Sequence, residues 1–419
     1  MLRKKRIMSW GLLLATAAAL LTGCGQSHAQ ELTKGMESAA QAGDYGSAEA
    51  QAVTGFGVQL LQQAYQAGEE GENILLSPLS AAYALGMTAN GAQGRTLEQM
   101  EQVLGLPADR LGQGLGGYLA QTQGEEQLRL ANSLWLNEKE AFQPRQTFLE
   151  KAVGQYQAQV YQGPFDDETR KQINRWVSKK TEGMIPVILR ELKSTDVMIL
   201  LNALCFDAKW EEPYQKAQIR QEEFATEAGE KRQAQMMYSS EEIYWELEGG
   251  QGFLKPYAGG QYAFAALLPP EGTSMADFLP LITGEGLAQA LEAARMEEIR
   301  AAIPQFKCQG DYRLDDFLKE LGMTDAFDSK AADFSSLGAS EDGPIYVDRA
   351  LQKTYIEVNN QGTKAAAVTA VAPGDGAAPQ EPKQIYEIYL ERPFLYLLLD
   401  RRTNTPLMMG VTMDVAEAA

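Results

Sequence analysis

Histidine is almost missing from this chain. Among 419 residues there is one, His28, and it falls in a Gln-, Ala-, Gly- and Ser-rich stretch near the N-terminus. The folded part can therefore hold neither a Ser-His-Asp nor a Cys-His arrangement, and no histidine zinc site. Catalysis would be left with a carboxylate pair or a Ser-Lys arrangement. Adjacent carboxylates occur at Asp166-Asp167-Glu168, Asp315-Asp316 and Glu341-Asp342, but each group sits beside a turn or helix start, where carboxylates cap helices or face water. Gly112-Gln-Gly114-Leu-Gly-Gly117 matches a dinucleotide-binding pattern in form; no strand precedes it, so it is rejected. No nucleophile has its base. The chain reads as a non-enzyme with no cofactor and no metal.

Cysteine is nearly as scarce, with three residues. Cys205 lies in the apolar run Met198 to Phe206, and Cys308 closes an alternating stretch from Ile299. Both read as small buried hydrophobes; a bridge between them is the alternative that an exported chain allows. Cations are outnumbered, 37 Lys and Arg against 56 Asp and Glu, for a net charge of −19. That balance argues against nucleic acid or heparin-like polyanions as partners.

No run is long enough to span a bilayer. The apolar run from Ile7 to Leu21 falls short, and with Arg3-Lys4-Lys5-Arg6 before it the first 23 residues read as a signal peptide. Leu21-Thr22-Gly23-Cys24 resembles the bacterial lipobox, in which Cys24 is lipidated and becomes the first mature residue. An ordinary secretory signal cut nearby is the alternative. Both export the chain, as a lipoprotein on the outer face of a bacterial membrane or as a secreted protein. Residues 24–50, small and polar from Gly25 to about Gly46, read as a flexible stalk, and a lipid anchor would be the only membrane contact.

Between Ala52 and Ala350 no linker-like composition appears, so residues 51–419 read as one domain. Val53 to Gln66 has helical spacing through Phe56, Leu60, Leu61 and Tyr65. Ser77 caps a helix with Pro78 at its first position, and Thr96 with Gln99 reads as a capping box. Leu128 to Asn137 alternates as a strand, and Ile173 to Val177 lies on a helix. Met198 to Phe206 is apolar almost throughout, which implies a central strand buried on both faces. Tyr262–Leu268, Glu298–Lys307, Ile385–Leu390, Phe394–Asp400 and Leu407–Thr412 add strands, and Leu314 to Leu321 is helical. Helices come early and strands dominate late, giving an α+β domain.

One stretch carries two signals. From Tyr355 to Val358 the chain alternates as a strand, and beyond Gly362 every second residue (Thr363, Ala365, Ala367, Thr369, Val371) is small or β-branched and uncharged. The stretch then ends in Pro373, Gly374, Asp375, Gly376, Pro379 and Pro382, a surface-loop composition. It is either a strand followed by an Ala-rich linker or a loop whose first half can become a strand.

Gly362-Thr363 followed by Ala365-Ala366-Ala367 resembles the reactive-loop hinge of serpins, the serine protease inhibitors. Other stretches agree in family order. Asn73 to Ser80 (NILLSPLS) with Gly91 to Thr96 (GAQGRT), Asn174 to Val177 (NRWV) with Thr181-Glu182-Gly183, and Leu201-Asn202-Ala203 with Phe206 and Lys209-Trp210 come first. Ile303 to Lys307 (IPQFK), Leu321-Gly322-Met323 with Ala326-Phe327, Ala332 to Ser335 (ADFS), and Arg392-Pro393-Phe394 with Met409-Gly410 complete the set.

The resemblance implies a single serpin-like domain with a large, mostly antiparallel central sheet, further sheets, helices packed around them and a reactive loop over about 362–382. It implies suicide-substrate inhibition: a protease cuts the loop, and the hinge (Gly362, Thr363, Lys364, Ala365, Ala366, Ala367, Val368, Thr369) inserts between the strand of Met198–Phe206 and that of Tyr355–Asn359. Asn202, Trp210 and Asn360 would lie where the sheet opens. The family's loop spacing counted from Gly362, and the Ala377-Ala378-Pro379 pattern, both place the cut at Gly376–Ala377, with Asp375 and Ala372 as alternatives. No Arg or Lys lies between Ala365 and Gln380, which favours elastase-like or subtilisin-like proteases, acting on a monomer. Asn360 stands where the family has Glu, so the usual ion pair at the top of the sheet is expected to be missing, and Pro373 would weaken the last part of the ladder. A non-inhibitory serpin acting as a binding protein, and a solute-capturing lipoprotein, are the competing readings.

Overall fold

An apolar run of strand length has to bury both faces, and Met198–Phe206 does so in the middle of an eight-stranded sheet. The computed structural model describes residues 28–37, 43–138, 142–340, 343–363 and 384–415. The chain opens with β1 (Gln30–Glu31), α1 (Ser47–Ala67), β2 (Ile74–Leu76), α2 (Pro78–Ala89), α3 (Gly94–Leu104) and α4 (Ala108–Gln121). There follow β3 (Leu128–Asn137), β4 (Gln143–Pro144), α5 (Gln146–Tyr156), β5 (Gln159–Gly163), α6 (Asp167–Lys180), β6 (Met198–Phe206), β7 (Ala208–Lys209), β8 (Ile219–Ala225) and β9 (Lys231–Leu247). Then come β10 (Gly250–Pro256), β11 (Tyr262–Leu268), α7 (Met275–Phe278), α8 (Gly284–Glu292), β12 (Arg295–Pro304), β13 (Phe306–Arg313) and α9 (Leu314–Glu320). Last are β14 (Gly338–Ala339), β15 (Arg349–Val358), β16 (Gly362–Thr363), β17 (Ile385–Tyr389), β18 (Phe394–Asp400) and β19 (Thr405–Thr412).

The first sheet runs β1-β5-β3-β6-β15-β16-β7, with β13 also paired to β15. Its pairs are antiparallel except β3 with β5 and β6 with β15. A second sheet runs β17-β12-β9-β10-β11-β18-β19-β2, with β8 on β9, and β14 pairs with β4. Helix α2 lies in the main core: every residue from Pro78 to Ala89 is buried, which an almost wholly apolar helix requires. Ser77 caps it, accepting from the Ser80 N–H at 3.3 Å. The architecture is one α+β domain.

Several sequence expectations need correcting. Residues 24–50 are not stalk throughout. Gln30–Glu31 pairs with Tyr161 and Gln162 of β5, the Gln172 side chain of α6 bonds both backbone groups of Ala29, and α1 starts at Ser47. Polar residues here find partners on an open sheet edge and on a helix far along the chain. Thr96 and Gln99 form no capping box, because α3 begins at Gly94; Thr96 accepts from the Asp333 N–H and Gln99 from Asp325. Glu298–Lys307 is two strands of different sheets, split at Gln305. Asp166 caps α6, whereas Asp315 is fully buried between Arg313 and Lys319. Gly112 and Gly117 lie on α4, where a Cβ would meet the Tyr156 hydroxyl at 2.5 Å and the Gly43 carbonyl at 1.9 Å, so they serve close packing. Cys308 is buried in β13. Cys24 and Glu341-Asp342 lie outside the described residues.

Candidate functional site

The two strands flanking the centre of the first sheet are joined at one end only. β6 and β15 pair in parallel from Arg349 with Ile199 to Gln352 with Asn202, and no further. Beyond that point the hinge stands between the two strands. After a turn at 359–361, Thr363 pairs with Val358 of β15, and Gly362 and Thr363 pair with Lys209 and Ala208 of β7, the continuation of β6. Two residues of a new central strand are thus already in place.

The closed end is held by buried polar groups. The Asp348 carboxylate accepts from the backbone N–H groups of Val197 and Met198; burial raises its carboxyl above the usual range despite those bonds. Arg349 reaches Asp196 at 2.6 Å and the Glu191 carbonyl at 2.9 Å. Gln352 accepts from the Ser77 N–H and donates to the Ser77 carbonyl, both at 2.9 Å, which fastens β15 to the start of α2. Asn202 donates to Asn132, which donates on to the Tyr156 carbonyl. The side-chain oxygen of Asn202 has no hydrogen-bond partner among the described residues. It lies beside a small cavity bounded by Ala81, Ala84, Leu200, Leu314 and Gln352.

The open end is held by aromatic residues. Trp210 donates its backbone N–H to the Gln361 carbonyl and its indole N–H to the Asn359 carbonyl, each at 2.9 Å. The Tyr214 N–H reaches the Asn360 carbonyl at 2.9 Å. The Asn359 side chain closes the turn, accepting from the N–H groups of Gln361 and Gly362. Tyr257 stacks on Trp210, with centroids 4.5 Å apart, and hydrogen-bonds the buried Thr363 hydroxyl. Gly362 fits because a Cβ there would lie 2.1 Å from the Ala208 carbonyl oxygen.

Of the residues singled out in the sequence, Gly362, Thr363, Trp210 and Asn360 meet at the open end, and Asn202 sits at the last closed rung. Lys364 to Thr369, Ala372, Asp375, Gly376 and Ala377 lie outside the described residues. Sequence reasoning missed Tyr214, Tyr257, Asp348, Gln352 and Ser77 as partners. Gln352 carried a readable signal: it falls on the buried parity of β15, with Ala350, Thr354, Ile356 and Val358, where a polar side chain needs a partner. Among the described residues no group of His, Cys, Asp or Glu converges as a metal site, and no helix is long and apolar enough to cross a membrane.

The profile of the family described as Serpin (serine protease inhibitor) matches residues 51–415. This chain belongs to the serpin family. It is 33% identical to Serpin B8 of Bos taurus over 371 residues, covering 85% of this chain and 96% of that protein. Against Serpin B9 of Homo sapiens the identity is 31% over 370 residues, covering 85% and 96%. The crystal structure of the thermophilic serpin tengpin in the native state superposes with a TM-score of 0.85 at 36% identity, over 92% of this chain and all of that one. Its latent state superposes at 0.76 and 34%, over 90% and 100%. The family is one described as protease inhibitors and not as catalysts.

Replacing Gln352 by Leu leaves the buried Ser77 N–H without a partner, at about 1–3 kcal/mol, and the Ser77 carbonyl with the Ala81 N–H of α2 alone. The intact Gln352→Leu protein should unfold at clearly lower denaturant concentration than wild type; an unchanged midpoint would refute the role given to this amide.

Proposed function

We propose that this serpin inhibits serine proteases as a suicide substrate. The protease serine attacks a loop carbonyl, the peptide bond breaks, and the new amino terminus departs while the hinge-side half stays ester-linked to the enzyme. The freed half then adds to the first sheet as a strand and carries the protease with it; serpin loop insertion is an established instance of strand addition and of released strain.

The observation that carries this reading is a match of registers. Val358 pairs with Thr363 and Thr363 with Ala208. Continuing both ladders sets Ala365 between Ile356 and Phe206, Ala367 between Thr354 and Leu204, and Thr369 between Gln352 and Asn202. Gln352 and Asn202 already face each other in the closed part, so the strand can enter without a slip. Residues opposite one another in an antiparallel pair share a face. Thr363, Ala365, Ala367, Thr369 and Val371 would then all face the core beside the buried parity of β15, while Lys364 would stand opposite Glu357, which is 29% exposed. The Thr369 hydroxyl could donate to the Asn202 oxygen that now lacks a partner. Pro373 would fall past Arg349, the first residue of β15, and opposite Met198, the first residue of β6, so its missing N–H would fall at the very end of the ladder.

Small residues around Gly376–Ala377, with no Arg or Lys from Ala365 to Gln380, favour elastase-like or subtilisin-like targets; a cut after Asp375 would favour an acid-specific enzyme, and Ala372 is the remaining alternative. Each new rung adds hydrogen bonds worth about 1 kcal/mol net. Incubation with elastase and with subtilisin should give a complex stable on a denaturing gel, release a peptide beginning at Ala377, and leave a cut protein that melts above the intact one. Cleavage with no complex and no gain in melting temperature would instead identify a non-inhibitory serpin. In Thr363→Arg the first buried rung receives a long charged side chain: cutting should persist, the complex should be lost, and the cut variant should melt close to the intact one.

Export by residues 1–23 and lipidation at Cys24 remain part of this reading. Because Ala29 is bonded to α6, a lipid on Cys24 would be joined to the folded body by a reach of roughly 18 Å at full extension. The acidic inhibitor would then work as a monomer held close to the outer membrane face. Cells fed labelled palmitate should label the wild type and not Cys24→Ala; equal labelling, or none in either, rejects the anchor.

A further inference from the structure

The usual ion pair at the top of the sheet was expected to be missing because Asn360 is uncharged. A different pair lies behind the same turn. Lys255, from β10, and Glu241, from β9, meet at 2.8 Å with side-chain exposures of 4% and 6%. Neither residue touches the hinge. Lys255 instead supports the two residues that do: its ammonium lies 4.5 Å from the centre of the Tyr214 ring and 5.6 Å from that of Trp210. Tyr214 and Trp210 make three hydrogen bonds to residues 359–361, two from their backbone N–H groups and one from the Trp210 indole. The circuit closes behind them, since Ser239 donates to Glu241 at 2.6 Å and lies 3.2 Å from the Tyr214 hydroxyl.

Net stability gives no reason for this pair. Burial pushes the Glu241 carboxyl upward, a shift that the pull of Lys255 opposes and the nearby charge of Glu212 reinforces. Buried ion pairs are commonly no more stabilising than apolar side chains of the same volume. What an ammonium supplies and an apolar side chain does not is directed attraction to two ring faces at once, strongest where water is excluded. Those rings have to keep their places while the strands next to them part.

We propose that the Lys255–Glu241 pair is a latch for the hinge, positioning Trp210 and Tyr214 against the 359–361 turn and thereby setting how readily the loop advances into the sheet. The inference rests on the insertion reading given above. Lys255 and Glu241 act through the two aromatic residues, so they are positioning residues. Weakening the latch lets the uncut loop advance before any protease arrives, and active inhibitor is lost to a form that melts like the cut one.

The test uses the full chain. Wild type, Lys255→Met, Glu241→Gln and the double variant Lys255→Met with Glu241→Leu are each held a fixed interval below their own melting temperature. Conversion of uncut protein, its mass verified, to the high-melting form is followed by thermal melting and native gel. Lys255→Met and the double variant, which lose the ring attraction, should convert about ten-fold faster than wild type, and Glu241→Gln, which keeps the ammonium but removes the carboxylate that fixes it, should convert at a rate between the two. The double variant guards against misfolding, because it refills the site with apolar volume. Conversion at the wild-type rate in the double variant overturns the latch, and so does an equal drop in melting temperature of intact and cut forms with no change in rate, which is what a purely structural role predicts. Wild-type protein that gains no thermal stability on loop cleavage rejects the insertion reading itself, and the latch with it. Wild type that gains stability while the variants convert at its rate rejects the latch alone.

Discussion

Everything in the first sheet turns on a pair of parallel strands that agree at one end and are held apart at the other. β6 and β15 share the rungs from Arg349–Ile199 to Gln352–Asn202, and past that point Gly362 and Thr363 hold their place between them. The offset between the strands is the same whether it is measured across the closed rungs or through the hinge. A sheet arranged this way can be extended only by lengthening the wedge, because side-chain parity punishes any slip of one residue by turning the whole buried face outward.

The closed rungs have polar fastenings beside the apolar packing of Ile199, Leu200, Leu201 and Ala350. Gln352 is tied to Ser77, Asp348 to the backbone of Val197 and Met198, and Arg349 to Asp196. Such contacts are directional, so they hold one geometry well and lose most of their value once the strands separate by more than a hydrogen-bond length. Asn202 adds the opposite tendency. A buried acceptor with no donor costs about 1–3 kcal/mol, a small reserve that favours any rearrangement bringing a hydroxyl to that point. Fastening and reserve lie on the same rung, so the proposed insertion would undo the one and relieve the other.

How far the sequence revealed this depends on the range of the interaction. Met198–Phe206, Leu128–Asn137 and Tyr262–Leu268 were legible to the residue, because an apolar run or a strict alternation is a local property of the chain. The small residues at every second position beyond Gly362 are an equally local pattern, of which Gly362 and Thr363 are among the described residues. The helix start at Gly94 was misplaced, since Thr96 and Gln99 imitate a capping box locally yet spend their hydrogen bonds on Asp333 and on the 324–325 backbone. The stretch around Gln30 looked like linker because its partners, Gln162 and Gln172, lie more than a hundred residues away. Gln352 and Ser77 are separated by 275 residues, and no pattern within either segment names the other. Composition exposes what a segment buries; it does not expose which distant polar group it meets.

The scarcity of histidine takes on a further meaning at the closed rungs. An imidazole at the Gln352 position could donate and accept only in its neutral form, and its hold on the Ser77 N–H and carbonyl would change with pH near neutrality. The Gln352 amide presents both a donor and an acceptor at every pH, and Asn132 and Asn202 do likewise. The fastening of β15 to α2 is therefore insensitive to protonation. A protonatable part of the closed end is Asp348, whose carboxyl is raised above its usual range by burial, so a fall in pH would weaken its hold on the Val197 and Met198 N–H groups while leaving the Gln352 fastening intact.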